Sequence, residues 1–158
     1  MKRMFVLVFL AIVPILMSAQ TVSRGDPQVA LEKLTSLLKQ SAITKVKVLH
    51  VQDSILTRVA VSKEALHSTA NSNLDFSDHI TGKVGALFSE LAVKKQSHTP
   101  DLRWGVFFYD AHGQEIGSLF VDKFGQNGYV NDQTVSFETT AAEGNLAKRL
   151  HKITNILD

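Results

Sequence analysis

Asp110 and His112 stand two apart in the stretch RWGVFFYDAHGQEIGSLFVD, residues 103–122, with Glu115 and Asp122 following. A carboxylate and an imidazole at that spacing can share a proton or hold a metal ion. The same residues are also turn formers. An Asp side chain accepts from backbone amides just ahead of it, and Gly113 supplies a positive φ. β-prone runs flank the segment on both sides, so turn chemistry is the plainer expectation.

Other combinations of reactive residues are weaker. Ser77-Asp78-His79 sets triad letters side by side, but neighbours at a helix start point in different directions. The segment DKFGQNGYVNDQ, residues 122–133, has a faint calcium-loop look. It lacks alternating acidic ligands, and Gln133 occupies the twelfth place where Glu is needed. No Gly-x-Ser-x-Gly elbow, His-Glu-x-x-His, P-loop or dinucleotide fingerprint occurs. The six His are scattered and none pair at i, i+4. His50 lies inside a β run, where a satisfied core histidine is the expectation. No Cys is present, which excludes disulfides, a thioether lipid anchor and Cys-ligated zinc or iron–sulfur sites. The reading is of no cofactor and no metal.

Two cations and three rings are the binding candidates. Arg58 and Arg103 lie in or beside strands with Asp53 and Asp101 near in sequence. A structural Arg–carboxylate pair is the plain expectation, and an anion-binding spot the sharper one, because the guanidinium fork matches carboxylate or phosphate. Trp104, Val106 and Phe108 alternate with Gly105, Phe107 and Tyr109, so both faces of that strand are apolar. A central strand covered on both sides explains this. Exposure of Trp104, Phe107 and Tyr109 would instead mark a partner site, since large exposed apolar patches are uncommon on monomers.

The elements that must position these residues can be read from punctuation and period. Asp26-Pro27 opens a helix over 27–40, with Leu31, Leu34, Leu37 and Leu38 at helical spacing. Residues 45–52 and 55–62 alternate like two strands of a hairpin around Asp53-Ser54. Ser62 caps a short helix, and 71–77 reads as irregular. Ile80, Val84, Leu87 and Leu91 form one stripe of the next helix, weakened by Gly82 and Gly85. Strands follow at 104–109 and 115–121, then around Tyr129-Val130 and in QTVSFE. Thr140 and Glu143 have capping-box spacing before a closing helix striped by Leu146, Leu150, Ile153 and Leu157. The prediction is one α+β domain over 26–158. Its antiparallel sheet has five to six strands, with helices packed on one face.

The chain of 158 residues opens MKRMFVLVFLAIVPILMSAQ. Lys2 and Arg3, the apolar residues 4–17 and small Ser18-Ala19 follow the order of a secretory signal. The run is shorter than the roughly eighteen residues of a membrane span. Cleavage is expected after Ala19, leaving 20–25 as a flexible lead. Met17 is an imperfect fit, so an uncleaved anchor is the alternative. Losing Lys2 and Arg3 but no acid brings the 17 Lys and Arg level with the 15 Asp and Glu. A near-neutral chain argues against a nucleic-acid or polybasic membrane binder. No stable membrane insertion is expected after cleavage.

The functional expectation is a periplasmic or secreted, non-catalytic binding protein whose partner is another exported protein, as its inhibitor or accessory. The alternative is a small secreted hydrolase with a site assembled from scattered residues such as His50, Asp110 and His112.

Overall fold

A computed structural model describes residues 25–77, 79–139 and 144–155, without the side chains of 77 and 79–81. The elements are α1 (Pro27–Lys39), β1 (Lys45–His50), α2 (Lys63–Thr69), β2 (Ser72–Ser77), α3 (His79–Ser89), β3 (Leu91–Lys95), β4 (Leu102–Tyr109), β5 (Glu115–Asp122), β6 (Asn127–Val130), β7 (Gln133–Thr139) and α4 (Leu146–Thr154). The expected signal segment and the Thr140–Glu143 capping box lie outside the described residues.

The fold is α+β, with four helices and a seven-stranded sheet in the order β2-β1-β4-β5-β6-β7-β3. Every pairing is antiparallel. A meander of four strands, β4 to β7, forms the middle because short turns let neighbours pair at once. Asp110 drives the first turn: its carboxylate accepts from the amides of His112 (2.8 Å) and Gln114 (2.9 Å). Asp122 does the same for the next, accepting from Gln126 (2.9 Å). Asn131, at φ 53°, makes the third.

One side of the sheet carries α1, α3 and α4. Leu31, Leu34 and Leu38 of α1, Val84, Leu87 and Phe88 of α3, and Leu146 and Leu150 of α4 pack on Val46, Val48, Trp104, Val106, Phe108, Leu119 and Val121. Asp26 caps α1 through the Gln28 amide, with Pro27 at its first position. Asn145 caps α4 through the Lys148 amide. Gly85 faces α1, where a Cβ would meet the Leu38 Cβ at an ordinary contact distance of 3.6 Å.

The other side holds a second, smaller core. Leu66 of α2 packs with Leu49, Val51, Val61, Leu102, Phe107 and Phe120. Two parts of the predicted architecture are therefore corrected. The strands number seven instead of five to six, and α2 lies on the face opposite the other helices. Its seven residues follow the Ser62 cap, and the alternation in β4 demands a cover for Phe107 there.

Three local expectations also change. Residues 55–62 form no strand with β1, because both edges of β1 are taken by β2 and β4. Residues 72–77, polar in composition, are a strand: Leu74 and Phe76 turn inward while Asn73 and Asp75 face out. Leu91 ends the apolar stripe of α3 in sequence but begins β3, and still enters the same core.

Candidate functional site

The second face carries three aromatic rings beneath a rim of charged side chains. Phe107 of β4 meets Phe120 of β5 edge to face at 5.4 Å, and Phe120 meets Tyr129 of β6 at 6.3 Å in the same manner. Register puts these rings on one side, since Gly105 pairs with Phe120 and Phe120 with Tyr129. The seven-residue α2 and the 51–62 loop help bury Phe107 and Phe120, while Tyr129 stays half-buried. An open basin of about 300 Å³ remains, lined by Lys63, His67, Phe107, Glu115, Phe120 and Asp132 among others.

Its rim is charged with both signs. Lys63, the first residue of α2, reaches Asp132 Oδ1 at 2.6 Å. On the way its ammonium stands 5.1 Å from the Tyr129 ring centroid and 5.8 Å from that of Phe120. A cation over aromatic faces is attracted by the ring quadrupole, which holds this lysine across the floor of the basin. His67, one helical turn on, lies 5.1 Å from the Phe107 ring. Glu64 is held below its ordinary carboxylate value, first by its own backbone amide and then by the Ser62 side chain. Tyr109, with Lys45 5.7 Å from its ring centroid, is pushed above 10.0, first by burial and then by the Glu115 carboxylate.

The arrangement suits polar recognition: donors and acceptors of both signs stand around a basin with buried rings beneath it. No group of three His, Asp or Glu side chains converges to hold a metal ion among the described residues.

The residues singled out in the sequence are distributed as follows. Phe107 is buried in the basin floor and Tyr109 is half-buried on the same face. Trp104 is wholly buried on the opposite face, stacked on His50 at 3.9 Å with His151 edge-on at 4.5 Å. Trp104 thus shares no face with the other two rings. Arg103 is buried and forks onto Asp101, 3.0 Å to Oδ1 and 2.9 Å to Oδ2. Asp101 Oδ1 also accepts from the Val61 amide, so the pair fastens the 51–62 loop to β4. Arg58 is exposed within that loop, apart from Arg103. His50 pairs with Trp104 at one end of β4, whereas Asp110 and His112 occupy the turn after its other end. The structure does not bring these three together.

Lys63, His67, Phe120, Tyr129 and Asp132 were not singled out from the sequence. Lys63 and Asp132 are 69 positions apart, and only strand order makes them neighbours. Period-2 alternation in residues 118–121 was the available signal for Phe120, because it places Ser118 and Phe120 on one face. No protein-family model matches the chain, and neither a curated protein nor a solved structure matches it.

Proposed function

We propose that the chain is a small exported binding protein without catalytic activity, whose partner is another exported protein. The order of basic, apolar and small residues at its start supports export. One observation carries the binding reading: an open basin on the second sheet face has Lys63, His67, Glu115 and Asp132 gathered around buried Phe107 and Phe120. A partner segment fits this basin if it offers charges of both signs to Lys63, Glu115 and Asp132. Buried aromatic contact surrounded by a polar rim is the usual anatomy of a protein interface.

The test uses the processed chain recovered after export, first sequenced at its N-terminus, where Gln20 is expected. It serves as bait in exported fractions, beside Lys63→Glu and Glu115→Lys variants and the control Lys83→Glu, an exposed residue of α3 on the other side of the sheet. A stoichiometric partner retained by the control and lost by both rim variants is the expected result. Turnover of ester, peptide or glycan substrates without a partner would overturn the reading and return attention to a hydrolase. Retention of the partner by both rim variants would remove the basin from it.

A further inference from the structure

The two outer strands of the sheet are β3 and β2, and they are finished differently. At β3 the Val93 amide donates to Gln28 Oε1 of α1 at 3.0 Å, so a helix side chain already occupies that edge. At β2 the pairing with β1 and the Lys45–Asp75 bridge are the only hydrogen bonds and ion pairs that reach residues 72–76 among the described residues. The devices that usually keep an outer strand from pairing again are missing. β2 carries no Pro, no Lys and no register shift, and its one charge, Asp75, is held by Lys45 at 2.9 Å.

Alternation decides what this edge offers. The Val51 amide donates to the Arg103 carbonyl, so every second residue of β1 aims its main chain at β4. The others, Val46, Val48 and His50, aim at β2, where they pair with Phe76, Leu74 and Ser72. The main-chain groups of Asn73 and Asp75 therefore point outward. Their side chains are exposed, whereas Leu74 and Phe76 are half-buried against the larger core.

We propose that two copies of this chain pair antiparallel along β2, with Leu74 opposite Leu74 of the second copy. The strand is self-complementary in that register. By symmetry Asn73 stands twice opposite Asp75, a side-chain amide donor against a carboxylate, and their outward main-chain groups meet as two hydrogen-bonded pairs. The two Leu74 side chains continue the apolar row that begins at Val48. Other registers fail. Sliding by two residues toward Ser77 sets the two Asp75 carboxylates face to face. Sliding by two the other way calls on Asn71, whose amide already donates to the His50 carbonyl and whose side chain accepts from the Gln52 amide. Sliding by one sets polar against apolar side chains. The pairing uses no residue of the aromatic basin and does not depend on what the basin binds.

The test is sedimentation equilibrium of the processed chain over a wide range of concentration. A reversible dimer is expected. Asn73→Asp should weaken it roughly tenfold, because two like-charge pairs then stand opposed. Asn73→Lys at the same exposed site should preserve or tighten it, because the new cation faces Asp75. Lys63→Glu in the basin should leave it unchanged. Trp104 is the sole tryptophan and is fully buried, so unaltered emission shows that each variant kept its core. The chain has no Cys, so mild oxidation should link Leu74→Cys into a disulfide dimer and leave Asn73→Cys unlinked, since only residue 74 meets its own copy. A monomer at every concentration overturns the proposal. So does a dimer that responds alike to both charged replacements of Asn73, or one that links through Asn73→Cys and not Leu74→Cys.

Discussion

Phe108 and Phe107 are adjacent, alike in chemistry and opposite in setting. Phe108 is fully buried against Phe88, ring centroids 5.4 Å apart, in the larger core beneath the helices. Phe107 floors the basin on the other face. Alternation along a strand assigns them to separate layers. Truncating Phe108 removes packing on every side with no water to fill the void. Phe108→Ala is expected to lower stability by about 3–5 kcal/mol. Chemical denaturation measures this, and a near-wild-type midpoint would contradict the assignment. Gly128 is constrained in the same neighbourhood: a Cβ there would strike the Phe120 carbonyl, so this crossing of β5 and β6 admits only hydrogen.

At the scale of elements, the 51–62 loop has the most to explain. Its alternating Ile55, Thr57, Val59 and Val61 look like a strand, yet β1 has no free edge to offer. The loop is fixed at its two ends instead. The Val51 amide donates to the Arg103 carbonyl at 2.8 Å, and the Leu102 amide donates to the Val61 carbonyl at 3.1 Å. Arg103 holds Asp101, which holds the Val61 amide. Arg103→Ala should therefore release the loop and the start of α2 together. Asp101 is 42% exposed, so water compensates part of the loss and about 1–3 kcal/mol is expected. Amide exchange should rise across 51–66 and not in β6 or β7. Uniform loosening of the whole sheet would assign the pair a global role instead.

At the scale of the molecule, Tyr109 on the second face contributes to the alkaline limb of stability. Tyr109 is raised above its ordinary 10.0 because burial disfavours the phenolate and Glu115 repels it. The neutral phenol is thus favoured by folding. Its contribution is complete below the unfolded value and is lost as pH rises through the higher folded one. Stability should fall as pH climbs past 10, and Tyr109→Phe should flatten that limb while leaving neutral pH nearly unchanged. Urea midpoints taken across the alkaline range test this. An unchanged slope in the variant would show that other groups carry it.

Much of this protein was legible one residue at a time. Asp26-Pro27 set the start of α1, Ser62 capped α2, and Asp110-Ala111-His112-Gly113 made the turn it resembled, because those signals act over a few residues. The period-2 aromatic run gave β4 its two covered faces for the same reason. Elsewhere local pattern and partner availability disagreed. Ser72–Ser77 became a strand because β1 had an edge to fill, and Leu91 left its helical stripe to pair with Thr139. The side chosen by α2, and hence the basin that joins Lys63 to Asp132, depended on strand order. Strand order is a property of long-range pairing that no short window contains. The sequence by itself determined which segments would be helix, strand and turn where cap, period and turn agree. Tertiary structure alone decided which distant side chains meet, because competition for a limited number of strand edges is settled only when the whole sheet forms.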